Sequence, residues 1–85
     1  MRYVLTESAK RDIREITGAI RASHPRAARQ IGRDIQEGIR QIVTLPKLGG
    51  ARLHPCDESL RGYHVHTYLI AYKVVEKTVE IVVIY

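Results

Sequence analysis

The last seven residues of the chain, 79–85, restrict its fold more than any other stretch. They read VEIVVIY, which is apolar or aromatic at every position except Glu80. A run of Val, Ile and Tyr predicts a β-strand. At an exposed sheet edge, such a strand would invite pairing with other chains. The fold must therefore give this strand a neighbour on each side.

Two stripes of isoleucine at helical spacing precede it and predict two amphipathic helices. The stripes consist of Ala9, Ile13, Ile16 and Ile20, and of Ala28, Ile31, Ile35, Ile39, Ile42 and Leu45. They predict one helix over about 7–22, capped by Thr6 or Ser8, and a second over about 25–44. Pro25 suits the first turn of the second helix, and the break before it is short. The two helices should form an antiparallel hairpin.

The remaining segments predict a sheet. Residues 46–59 collect Pro, Gly and Asp and are interpreted as a loop. Predicted strands cover residues 2–5, 60–65, 68–75 and 79–85. The last three form an antiparallel meander, and only the N-terminal strand can cover the free side of the last one. We therefore predict a single α+β domain over residues 1–85, with element order β-α-α-β-β-β, strand order 1-4-3-2 and the hairpin on one face.

Charge and cysteine content narrow the class of protein. Fourteen Lys and Arg outweigh nine Asp and Glu, for a net charge of +5, which favours an acidic partner such as nucleic acid or an acidic protein. The single cysteine, Cys56, cannot form an internal disulfide, and no apolar run is long enough for a secretion signal or a membrane span. We expect a cytoplasmic protein, with Cys56 an incidental thiol.

Three stretches resemble the RelE/ParE superfamily of type II toxins, closest to the ParE-like (plasmid stabilisation) toxins. SAKRDIREITGAI is similar to the Ala-x-x-Asp-Ile/Leu-x-x-Ile opening of the ParE first helix, and IVTLPKLGGAR to the end of its second helix. LRGYHVHTYLIAYKVVEKTVEIVVIY resembles its final meander, with Leu-Arg, Tyr-x-Ile-x-Tyr and Val-Glu-Ile-Val. The resemblance spans the whole chain and implies the RelE-like fold.

The resemblance also implies a function. RelE-like members cut mRNA in the ribosomal A site, whereas ParE-like members inhibit DNA gyrase and cause growth arrest. Both are neutralised by an antitoxin whose C-terminal segment wraps the toxin. The implied partners are therefore DNA gyrase and a small, acidic-tailed, DNA-binding antitoxin in a toxin–antitoxin hetero-oligomer, with no cofactor or metal.

The residues argue against RNA cleavage, which needs a base, an acid and a cation at the phosphate. The candidates are His64 or His66, Tyr63 or Tyr85, and Arg61 or Lys73. RelE-like toxins usually place an arginine directly after the tyrosine that opens the penultimate strand, where this chain has Leu69. They also place catalytic side chains after the last strand, and this sequence ends at Tyr85. We predict binding without a catalytic residue; the alternatives are a RelE-like endoribonuclease and a non-toxic antitoxin-binding member.

The predicted partner-binding residues are Arg61, Tyr63, Arg26, Arg29, Arg33, Arg40 and Tyr85. The four helical arginines share about 60° of arc opposite the isoleucine stripe, and could equally form a solvated outer face. Arg61 could instead make a structural ion pair. We expect Tyr68 and Tyr72 to pack against the helices with their hydroxyls at the rim. His64 and His66 share a face by alternation and are expected to be solvated rather than to bind a metal.

Overall fold

A computed structural model describes residues 1–51 and 57–85 and places two helices against one face of a four-stranded sheet. The elements are β1 (Arg2–Leu5), α1 (Glu7–Arg21), α2 (Pro25–Thr44), β2 (Arg61–Val65), β3 (Tyr68–Val75) and β4 (Thr78–Ile84). The strand order is β1-β4-β3-β2, with β1 parallel to β4 and the other pairs antiparallel. The predicted fold class, element order and strand order are confirmed. The predicted loop over 46–59 lies partly, and Cys56 wholly, outside the described residues.

Both helices begin as the sequence indicates. Thr6 is the cap of α1, and its Oγ1 accepts a hydrogen bond of 3.0 Å from the Ala9 N–H. Pro25 occupies the first turn of α2, where its missing N–H would have had no partner in the helix. α2 ends at Thr44, and the next residue, Leu45, has non-helical backbone angles. Leu45 therefore leaves the predicted apolar stripe and is 56% exposed.

The core lies between the helices and the inner face of the sheet. Its fully buried members include Ile35 and Ile42 on α2, Ile70 and Tyr72 on β3, and Ile81 on β4. The isoleucine stripes thus pack where their spacing predicts.

Gly38 lies where α2 crosses β2 and β3. An added Cβ there would be 2.6 Å from Val65 Cγ2 and 3.3 Å from Tyr63 Cε2. A glycine at this position therefore lets the helix approach the sheet closely.

A bulge in β4 explains how two residues of this strand that are three positions apart both face the core. Tyr72 pairs with Ile81, but the preceding residue of β3 pairs with Val83, which leaves Val82 as an extra residue. The extra residue reverses the alternation of side chains. Ile81 and Ile84 are therefore both buried, although they are three positions apart.

Polar side chains complete the pairing of β4 beyond the end of β1. β1 pairs with β4 only as far as Leu5. Thr6 Oγ1 donates to the Val82 carbonyl at 2.6 Å, and Asp12 Oδ2 accepts from the Ile84 N–H at 2.9 Å. The aspartate of the Ala-x-x-Asp-Ile pattern thus replaces a missing strand, because a main-chain N–H away from water needs an acceptor.

Both hairpin turns contain two residues, at the predicted positions 66–67 and 76–77. His66 and Glu76, the first residue of each turn, have φ of 56°. Non-glycine residues adopt this left-handed region only where the surrounding structure requires it. Among the described residues, neither helix has the length and apolar character needed to cross a membrane.

Candidate partner-binding surfaces

An apolar groove lies beside the end of α2 and has a volume of about 660 Å³. Its lining consists of Met1, Leu45, Pro46, Lys47, Leu48, Arg61 and Val74. Four of these side chains are apolar and exposed: Met1 by 61%, Leu45 by 56%, Leu48 by 44% and Val74 by 38%. Among the described residues of the lining, the charged side chains are the cations Lys47 and Arg61. The groove therefore suits an apolar segment that also carries carboxylates.

The buried hydroxyl of Tyr72 holds the loop that forms one wall of this groove. It donates to the Pro46 carbonyl at 2.7 Å and accepts from the Gly49 N–H at 2.9 Å. A Cβ on Gly49 would lie 2.7 Å from that hydroxyl, so the loop backbone can approach only as glycine. Tyr72 packs against the core as predicted, but its hydroxyl is inside the protein rather than at the rim.

Arg61 holds the same loop from the other side. Its Nη1 donates to the Gly49 carbonyl at 2.9 Å and approaches the Lys47 carbonyl at 3.5 Å. Gly50 and Gly62 exchange two backbone hydrogen bonds next to it, of 2.9 and 3.0 Å. Arg61 therefore makes no ion pair with any described residue. It fixes the loop and also lines the groove.

The helical arginines form a separate surface, which we call the arginine ridge: Arg26, Arg29, Arg33 and Arg40. All four are exposed on α2. Arg40 lies 3.5 Å from Glu37, and both side chains are more than half exposed. The other three have no hydrogen-bond or ion-pair partner among residues 1–51 and 57–85.

Tyr63 and Tyr85, the two tyrosines predicted to bind a partner, lie outside both the apolar groove and the arginine ridge. Tyr63 is half-buried, packs against the core and faces Gly38 of α2. Tyr85 is 64% exposed and exchanges backbone hydrogen bonds with Leu69 of β3. Alternation places it on the open face of the sheet, away from the helices. The predicted partner-binding residues therefore belong to separate surfaces rather than to one.

The groups considered for RNA cleavage are divided between the two faces of the sheet, with His64, Lys73 and Tyr85 on the open face. Arg61 and Tyr63 are on the helix-facing side of the sheet, because they pair with the buried residues Tyr72 and Ile70. Lys73, the alternative cation, follows Tyr72 and therefore lies on the open face, on the side opposite Arg61.

The two histidines do not share a face. His64 is exposed on the open face, whereas the turn directs His66 to α2, where its Nε2 lies 2.6 Å from Asp34 Oδ2. Both side chains are exposed, as expected, but the prediction of a shared face is wrong, because the positive φ of His66 interrupts the alternation. This hydrogen bond lowers the pKa of the Asp34 carboxyl, and a second one from Gln30 adds to the effect. Within the described part of the chain, His, Cys, Asp and Glu nowhere form a group of three that could hold a metal.

Sequence reasoning missed the groove, since Leu45 was assigned to the helical stripe and Leu48 to a loop without a role. The available signal was two leucines flanking Pro46, outside any periodic segment. Their exposure depends on where α2 ends and on the path of the loop held by Tyr72.

Comparisons with known proteins agree with this architecture. A sequence model of the family described as "ParE toxin of type II toxin-antitoxin system, parDE" matches residues 3–85. A solved structure described as the "Chromosomal ParDE TA system from P. aeruginosa" is similar, with a TM-score of 0.82 over 99% of this chain and 92% of that chain. The two sequences are 20% identical, so this likeness shows a shared fold. No curated protein sequence matches the chain significantly.

Proposed function

Because the chain belongs to the ParE toxin family of type II toxin–antitoxin systems, we propose that it is a cytoplasmic toxin that inhibits DNA gyrase by binding and is neutralised by a cognate antitoxin. The observation that carries the proposal is the family match, which extends from residue 3 to residue 85. The match includes the loop, and it includes the groove and the sheet except for Met1 and Arg2. The family membership supports the proposed activity, and the groove and the arginine ridge suggest where partners bind.

The apolar groove is the surface that best fits the antitoxin. Apolar side chains of the antitoxin would cover Leu45, Leu48 and Val74, and the burial would supply most of the affinity. Carboxylates on its acidic tail would approach Lys47 and the edge of the Arg61 guanidinium, which would fix the register and raise the association rate. The antitoxin is expected to be small and to carry its own DNA-binding domain.

Rigidity of the groove supports this assignment. The loop from Pro46 to Gly50 is tied to the sheet by Tyr72, Arg61 and Gly62 before any partner arrives. A preformed surface loses less conformational entropy on binding than a flexible one. Arg61 is therefore a positioning residue for the groove, which it also lines.

Binding rather than catalysis is favoured by the family match, and by the engagement of two of the candidate groups in other contacts. RNA cleavage by transesterification requires these groups within hydrogen-bond reach of one phosphate. Here Arg61 is engaged with backbone carbonyls and His66 with Asp34. The proposed action on gyrase therefore needs no catalytic residue.

Three assays test the proposal. The chain is induced in cells with and without the neighbouring antitoxin gene, gyrase supercoiling is measured with purified protein, and mRNA from induced cells is mapped by primer extension. Growth arrest relieved by the antitoxin, together with loss of supercoiling, supports the proposal. Site-specific mRNA cuts would instead identify a RelE-like endoribonuclease. Tight antitoxin binding without growth arrest would identify a non-toxic member.

A matched pair of variants tests the groove. Leu48 and Val75 are similarly exposed, at 44% and 46%, but Val75 lies on the open face of the sheet. Leu48→Glu should weaken antitoxin binding by about 10- to 100-fold, since covering a leucine contributes about 1.5–3 kcal/mol. Val75→Glu makes the same chemical change outside the groove and should leave the Kd unchanged. Equal effects in a titration calorimeter would remove the groove from the interface.

A further inference from the structure

The outer face of α2 carries a row of exposed arginines and no exposed large apolar residue. Besides the arginine ridge, its members are Gln30, Glu37, Gln41 and Thr44. None of the exposed large apolar residues in the described chain belongs to α2. Glu37, the acid nearest the arginines, is paired with Arg40, and Asp34 at the margin of this face is paired with His66. The face is therefore cationic and polar along its whole length.

We propose that the arginine ridge binds the phosphate backbone of a nucleic-acid duplex. Protein–protein interfaces have an apolar core that supplies most of the binding energy, and the ridge has no apolar residue to form one. Interfaces with nucleic acid are more polar and more positively charged. Arg, Gln and Thr are common ligands of phosphate oxygens. The composition of the ridge thus fits a phosphate backbone better than an acidic protein.

The spacing of the ridge fits a straight, rigid ligand. From Arg26 to Arg40 the helix rises by about 21 Å, at about 1.5 Å per residue. Duplex DNA carries about one charge per 1.7 Å of axis, so phosphates lie within reach along the whole row. Arg26, Arg29 and Arg33 have no ion-pair partner within the described part of the chain. The exposed pair of Arg40 with Glu37 is weak enough to exchange for phosphate.

The salt dependence of the proposed binding follows from the release of counterions from the phosphates. Three or four phosphate contacts give a slope of about −2.7 to −3.6 for log K against log salt concentration. Affinity should therefore fall by about 40- to 150-fold between 50 and 200 mM salt. Binding should depend little on base sequence, because backbone contacts carry no sequence information.

The experiment measures fluorescence anisotropy of labelled 24-base-pair duplexes of DNA and RNA, and of one single strand, against the purified full chain. The variant Arg29→Gln/Arg33→Gln should lower the magnitude of the slope by about 1.8, since it removes two contacts. The control Arg2→Gln/Lys77→Gln removes the same charge from exposed positions in β1 and the β3–β4 turn. It should leave the slope unchanged.

The outcomes separate this inference from the proposed function, because the measurement contains neither gyrase nor antitoxin. Salt-dependent binding to either duplex that is lost in the ridge variant supports the inference, and the tighter duplex identifies the natural ligand. Equal losses in the ridge variant and the control would overturn it, since net charge alone would then explain binding. Tighter binding to the single strand, or to a poly-glutamate peptide, would also overturn it.

Discussion

Replacement of Gly38 by alanine tests how closely α2 must approach the sheet. An added methyl group would lie 2.6 Å from Val65 Cγ2, 3.3 Å from Tyr63 Cε2 and 3.4 Å from Ile70 Cδ1. The first distance is too short for two carbon atoms. Val65 is buried and stiff about χ1, so it cannot turn away without loss of packing. The helix must move outwards or the strand must shift.

The expected change in the free energy of unfolding is the difference between two opposing effects. Alanine in a helix is more favourable than glycine by about 1 kcal/mol. Overpacking of a well-packed core costs about 1–3 kcal/mol. We therefore expect Gly38→Ala to lower the free energy of unfolding by up to about 2 kcal/mol. In a domain of this size, 1 kcal/mol corresponds to about 4–8 °C in Tm.

Gly18 on α1 offers the matched control. No atom lies within 4 Å of a Cβ built on Gly18, so Gly18→Ala keeps the gain in helix propensity without the clash. It should raise the free energy of unfolding by about 0.5–1 kcal/mol. Urea denaturation followed by circular dichroism measures both variants. If Gly38→Ala is as stable as Gly18→Ala, the close approach of α2 to Val65 is refuted. Partial recovery in Gly38→Ala/Val65→Ala would confirm Val65 as the source of the strain.

Two further predictions concern hydrogen bonds. Tyr72→Phe removes the hydroxyl that joins two main-chain groups of the loop. It should lower the free energy of unfolding, measured by urea denaturation, by about 1–3 kcal/mol and weaken antitoxin binding. If the free energy of unfolding and the Kd are both unchanged, the hydroxyl is not needed to hold the loop. His66→Ala should raise the pKa of Asp34 toward its ordinary value, measured by carboxyl NMR titration, with a smaller rise in Gln30→Ala. Because the folded pKa of Asp34 is lowered, this contact stabilises the fold above the carboxyl's ordinary pKa and is lost as pH falls through the folded value. An unchanged pKa in His66→Ala would contradict the contact.

Local patterns in the sequence were sufficient for the elements and their order. The isoleucine stripes, the break at Pro25 and the turns at 66–67 and 76–77 each depend on residues close together in the chain. The strand order followed from one global argument, that the apolar strand at 79–85 needs neighbours on both sides. These inferences held because periodicity and turn chemistry are properties of a short window.

The tertiary structure decided the roles of individual polar groups. Arg61 binds loop carbonyls 12 and 14 residues away, Tyr72 reaches across 23 and 26 residues, and Asp12 accepts from an N–H 72 residues away. None of these separations along the chain produces a periodic pattern in the sequence. The bulge in β4 was equally hidden, since an extra residue changes which side chains face the core without changing the apolar composition.

The amino-acid sequence by itself thus determined that two helices cover one face of a sheet with strand order 1-4-3-2, and that the protein is basic. Only the folded structure shows that the arginine ridge and the apolar groove are separate surfaces. It also shows that His66 and His64 lie on different faces and that Arg61 holds the loop through hydrogen bonds. The physical reason is the range of the interactions. Burial of an apolar stripe is set by residues three or four apart, whereas a hydrogen bond depends on which distant backbone group the completed fold brings within about 3 Å.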